Sequence, residues 1–171
     1  QALGIYKMAK NMSFNNPWLA FVPFANTFMF GKVAETYVKP DGRPSAKFSK
    51  ILLILQIVAS VVVVAFIVFL FVFLMLEATG TYFLSQDIEA IAVSALVLPI
   101  VLGYFALLGV MIAFNVVYYI ALWRIFAIYN YNNATLFLVL SIFFSFLYPI
   151  FLFILRNKQP MFTAEQRVNQ Q

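Results

Sequence analysis

The sequence predicts an all-α integral membrane protein with three or four transmembrane helices plus a short re-entrant or interfacial helical elbow near the N-terminus. Three observations predict it. The 171 residues are 64% hydrophobic and 10% charged, with mean hydropathy +0.95, where a soluble domain is about 45–50% apolar and about 25% charged. Three apolar segments are each long enough to cross a hydrocarbon core, which takes roughly 20 residues of helix. A fourth apolar stretch, Asn15 to Lys32, is short, cut by Pro17 and Pro23 and bracketed by Lys7, Lys10 and Lys32. That stretch fits a segment that dips into a membrane and returns, or lies at its surface, better than it fits a span.

Residues 1–14 read as the end of a helix, with Lys7 and Lys10 three apart, favourable at a helix C-terminus and near anionic headgroups. The apolar opening Gln1-Ala2-Leu3-Gly4-Ile5-Tyr6 carries the expectation that another transmembrane helix precedes it. Asn15-Asn16-Pro17 stops this helix, because Asn tolerates a left-handed cap and Pro suits the first turn of the next helix. Residues 15–37 form the elbow. Trp18 is an interfacial aromatic, Pro23 removes a backbone donor, and a helix resumes through Asn26 and Lys32. The elbow either lines a pathway, docks a partner or simply orients two spans. Residues 38–50 form a polar loop with a Pro40-Asp41-Gly42 turn. Its Lys39, Arg43, Lys47 and Lys50 bring the basic residues of the first fifty positions to seven.

Residues 51–76 are an apolar run of 26 with Gln56 and Ser60 as its polar side chains. Length outweighs the β-branched block Val61-Val62-Val63-Val64 and predicts a spanning helix. The loop Glu77–Glu89 has three acids and no Lys or Arg. Residues 88–123 read either as one long kinked span or as a half-helix to Leu98 followed by a span from Ile100, since Pro99, Gly103 and Gly109 interrupt it. Asn115 is an intramembrane carboxamide whose first expected role is inter-helix hydrogen bonding. Tyr118, Tyr119 and Trp123 suggest an interfacial belt with Arg124 at its edge, followed by a turn-rich loop. Residues 136–155 read as a last span kinked at Pro149, and 156–171 as a polar tail.

The positive-inside rule puts residues 7–50 in the cytoplasm and the acidic loop outside. Three spans would then leave the tail outside, although it carries Arg156, Lys158 and Arg167. A hairpin around Pro149, or a double crossing by residues 88–123, would remove the conflict.

Three stretches carry a resemblance: Gly4 to Lys10, Asn16 to Asn26 with Gly31-Lys32, and Ser141 to Lys158. They resemble small uncharacterised multi-span membrane proteins of low-GC Gram-positive bacteria, with a Trp18-Leu19-Ala20…Pro23…Asn26 elbow and a Phe153…Arg156-Asn157-Lys158 ending. The resemblance implies a bacterial cytoplasmic membrane and a preceding helix, and it brings no activity with it.

The absence of Cys and His from these residues removes thiolate and imidazole chemistry and the usual zinc, haem and iron–sulfur ligands, so no cofactor is expected. Enzyme chemistry needs paired acids or an activated nucleophile. The acids Glu35, Asp41, Glu77, Asp87, Glu89 and Glu165 are not mid-membrane, and no enzyme is expected. Ion-coupled carriers have intramembrane charges and repeated broken helices; the chain shows broken segments but no buried charge and no evident repeat. The expectation is a non-catalytic accessory or scaffold subunit of a membrane assembly, with a small oligomeric transporter, channel or lipid-handling protein as the alternative. Its contacts with a partner protein, a second copy or anionic headgroups fall to Trp18, Pro23, Asn26, Lys32, Lys39, Arg43, Lys47 and Lys50. Nucleic acid is not an expected partner.

Overall fold

The computed structural model describes residues 1–37, 47–78 and 86–160, and their side chains except at 76–78 and 86–98. Lys39, Arg43, the turn at Pro40 to Gly42, the tip of the acidic loop and most of the tail lie outside the described residues. The described chain is helical: α1 (Ala2–Asn11), a 3-10 turn (Pro17–Phe21), α2 (Ala25–Glu35), α3 (Phe48–Ala78), α4 (Gln86–Tyr129), a 3-10 turn (Tyr131–Asn133), α5 (Ala134–Phe143) and α6 (Leu147–Leu155). Two helices are long and apolar enough to cross a membrane, over Phe48–Met75 and Pro99–Tyr129. The third expected span is not a single helix. The chain forms two compact units: Ile57–Ala113, and Gln1–Gln56 together with Phe114–Gln171.

The Ile57–Ala113 unit is a pair of helical stretches, many of whose described apolar side chains are exposed. Val61, Leu74, Phe105 and Ile112 are each about 60% exposed. Gly103 sits where a Cβ would come within 2.9 Å of the Phe66 ring, so absence of a side chain lets the two helices approach. Pro99 lies inside α4, which continues through it. Of the two readings of residues 88–123, the continuous helix is the one observed.

The other unit has a closed core. α1 buries Gly4, Ile5, Met8 and Ala9, one face of a 3.6-residue repeat. It ends in a Schellman motif, with Phe14 N–H donating to the Ala9 carbonyl and Ser13 N–H to the Lys10 carbonyl. Ser13, with φ 56°, takes the left-handed position expected of Asn15 or Asn16. Pro17 opens the 3-10 turn as expected. At Pro23-Phe24 the chain bends, Phe24 adopts φ 63°, and α2 begins.

α2 meets the start of α3 almost backbone to backbone: a Cβ on Gly31 would lie 2.5 Å from Ser49 Cα. At this junction the Glu35 carboxylate accepts the Ser49 N–H at 2.8 Å and the Ser49 hydroxyl at 2.7 Å. An acid on the free N–H groups of a helix start satisfies a donor and complements the helix dipole.

The centre of the unit is the last part of α4. Ala121, Leu122, Ile125, Phe126, Ala127, Ile128 and Tyr129 are all fully buried, and such a stretch, apolar all round, belongs inside a core. This corrects the expectation that the span stops at Trp123 and a loop follows from Arg124. Neighbouring elements cover the segment: the Phe126 ring meets the edges of Phe137 and Phe151, and Phe30 stacks on Tyr118 at 4.5 Å.

The segment 136–155, expected as one kinked span, breaks at Phe144-Ser145-Phe146 into α5 and α6. Pro149 explains the position. Its ring clashes with the carbonyl four residues back, that of Ser145, whereas near a helix start its missing N–H costs nothing. The chain then folds back, since Phe137 and Phe151 stack at 4.8 Å; in one continuous helix they would be about 21 Å apart along the axis.

These contacts fix directions. At one end of α1, Gln1 Nε2 donates to the Tyr118 hydroxyl at 3.0 Å, and the Tyr148 hydroxyl donates to Gln1 Oε1 at 3.1 Å. At the other end, Asn11 Nδ2 donates to the Arg156 carbonyl at 3.0 Å. α1 and α6 therefore run parallel. Thr36, just past α2, touches Met12 just past α1. Further along α4 from Tyr118, Trp123 packs on Tyr37. Thus α1, α2, α6 and the buried part of α4 all finish toward one side.

Both α1 and α4 lead into a polar turn and a broken helical stretch. α1 leads into Ser13-Phe14-Asn15-Asn16, a 3-10 turn, a break at 22–24 and α2; α4 leads into Asn130-Tyr131-Asn132-Asn133, α5, a break at 144–146 and α6. α1 packs against both α2 and α6, and the Phe30–Tyr118 stack joins α2 to α4.

Candidate functional site

The side on which the helices finish is basic. The Ile57–Ala113 stretch contains no Lys or Arg, so every described basic residue belongs to the other unit. Helix C-termini carry partial negative charge, and Lys or Arg beside them offsets it. Lys10 lies in the last turn of α1 and Lys32 in that of α2, and Arg156 and Lys158 follow α6 at once.

Three of these cations rest on aromatic rings. Lys32 Nζ lies 4.9 Å from the Phe14 ring centre, the Arg156 guanidinium 3.4 Å from that of Phe153, and the Arg124 guanidinium 4.3 Å from that of Phe48. Arg124 is only 9% exposed, and its Nη1 is buried without a hydrogen-bond partner. It is therefore a core cation held by ring faces, not the edge of an interfacial belt.

Between the ends of α1 and α6 lies a cavity of about 700 Å³ lined by Lys7, Asn11, Asn157, Lys158, Gln159 and Pro160. Among the described residues no carboxylate lines it. Among described side chains Glu35 is the acid of this unit, and its Oε1 is engaged by Ser49. The cavity thus offers two ammonium groups and three carboxamides to an anion.

The residues expected to form a contact surface divide into two groups. Lys32, Lys47 and Lys50 come to one junction, because Gly31 packs on Phe48-Ser49; Lys47 and Lys50 are exposed and Lys32 half-buried. Trp18 and Pro23 are exposed in the return stretch, whose Phe21 packs on Tyr6 in the middle of α1. Asn26 is a structural residue: its Nδ2 donates to the Ala20 carbonyl at 2.6 Å, tying α2 to the turn before it. Asn115 is exposed and Gln56 half-buried, and neither lacks an interaction.

Sequence reasoning missed the cavity because its two walls are nearly 150 residues apart. The available signal was the basic Arg156-Asn157-Lys158 run, which conflicted with a spanning reading of the segment before it. Among the described residues no three acidic side chains gather where a metal ion could be held. No protein-family model matches the chain, and no match to a curated protein or a solved structure was found.

Proposed function

We propose that this protein is a non-catalytic accessory or scaffold subunit embedded in a bacterial cytoplasmic membrane. One observation carries the membrane part: the described side chains of the Ile57–Ala113 pair expose many large apolar groups over 57–75 and 99–113, far beyond the patch that a soluble monomer leaves in water. α3 and α4 then cross the bilayer. α5 and α6, of 10 and 9 residues, reach about 15 Å, half of a hydrocarbon core, and act as a re-entrant hairpin. The basic ends face the cytoplasm. With α5–α6 re-entrant, Arg156 and Lys158 fall on the same side as Lys7 and Lys10, and the charge conflict disappears.

The accessory role is supported by the described side chains, which hold no nucleophile–base pair, and by the exposed Trp18, Phe21, Val22 and Phe24 of the elbow, which suit a membrane protein partner or a second copy. A transporter is the second reading, favoured by the broken helical stretches at 22–24 and 144–146. Co-purification in native nanodiscs with mass spectrometry separates them. A stoichiometric membrane partner that is lost on Trp18→Ala is the expected result. A homo-oligomer without partners that passes solutes in liposomes would overturn the accessory reading.

A further inference from the structure

We infer that the cavity between the ends of α1 and α6 binds the phosphate headgroup of an anionic glycerophospholipid. The inference rests on the membrane reading above and adds a specific site to it. The cavity, about 700 Å³, is within the size range of small-molecule sites, about 300–1,000 Å³. Lys7 and Lys158 stand on its opposite walls, and Asn11, Asn157 and Gln159 supply neutral donors for ester oxygens and glycerol hydroxyls. The Asn11 amide also occupies the Arg156 carbonyl, so one of the free acceptors at the end of α6 does not repel an anion. Arg156, next in sequence to the lining residue Asn157, adds a further positive charge, its guanidinium resting on the Phe153 ring.

The surroundings favour a lipid over free phosphate. On α1, Leu3, Lys7 and Asn11 follow at i, i+4 and i+8 and are all exposed, Leu3 by 56%, so one stripe passes from apolar to cationic to amide. On α6, Ile150 and Ile154 are 47% and 57% exposed, and Lys158 follows one turn later just past the helix end. Two parallel helices thus each present an apolar face that ends in a lysine at the cavity, matching an acyl chain that ends in a phosphate. Gly4 sets their separation, since a Cβ there would lie 3.2 Å from the Leu152 backbone.

The test is native mass spectrometry of the full chain in phosphatidylcholine nanodiscs titrated with phosphatidylglycerol. The wild type should retain phosphatidylglycerol in preference to phosphatidylcholine. Lys7→Gln with Lys158→Gln should weaken that retention roughly thirty-fold, as expected for two cations at a membrane surface, with thermal stability unchanged. Lys47→Gln with Lys50→Gln should leave it within about twofold. Equal loss in both double variants would overturn the site in favour of diffuse charge. Equal retention of the two lipids would overturn it while sparing the membrane reading; retention of neither would overturn both. Soluble glycerol phosphate binding as tightly as the lipid would overturn the lipid assignment and leave a phosphate site.

Discussion

Ile57–Ala113 and the unit built from the two flanking parts of the chain place similar side chains in opposite environments. Phe126 in the packed unit is fully buried, whereas Phe105, on the same helix, is 63% exposed. Side-chain chemistry does not distinguish them, since both are phenylalanines of one long helix. Charge does: Lys and Arg are confined to the packed unit, and Glu77, Asp87 and Glu89 fall in the other. The difference teaches that a long apolar helix can be exposed in one part and core in another, with the boundary set by what folds against it.

The comparison can be broken by substitution, and the largest effect should come from the core. Phe126→Ala should cost about 3–5 kcal/mol in reversible unfolding in mixed micelles. Phe105→Ala should stay within about 1 kcal/mol, because little of its surface leaves its surroundings on folding. Equal losses would show that both stretches are packed alike. Next comes Gly31→Ala, which pushes a methyl into the Ser49 backbone and should cost about 1–3 kcal/mol by overpacking. Glu35→Ala should cost about 1–2 kcal/mol through loss of the cap on α3, read as a lower melting temperature with the helical signal kept. The smallest effect belongs to Gly109→Ala. Nothing lies within 4 Å of that Cβ, so the change should be neutral or a gain below about 1 kcal/mol from helix propensity.

The parts of the fold legible in the sequence were those set locally. Pro17 and Pro23 marked the elbow because proline acts on its own turn, and the length of the 51–76 run marked α3. The rest depended on distant partners. Arg124 looked like the polar end of a span, and only Phe48 and Tyr37, brought back from α3 and the end of α2, make it a core residue. Residues 136–155 have the length of a crossing, and Pro149 reads equally as a kink or a helix start until Phe151 is seen on Phe137. The cap by Glu35 spans 14 residues and has no local pattern. The candidate site was half legible: Lys7 and Lys158 each had a reason to be basic at a helix end, but their meeting follows from the reversal between α5 and α6.

The central claim, that α5 and α6 return the chain to the side where α1 ends, is tested most directly by sidedness labelling. The chain has no cysteine, so single substitutions Asn11→Cys, Gln159→Cys and Asp87→Cys can be labelled with a membrane-impermeant maleimide in intact cells and in inverted vesicles. The account predicts that positions 11 and 159 label from the cytoplasmic side and position 87 from the other. Labelling of 11 and 159 from opposite sides would contradict it, because residues 136–155 would then cross the membrane as one span.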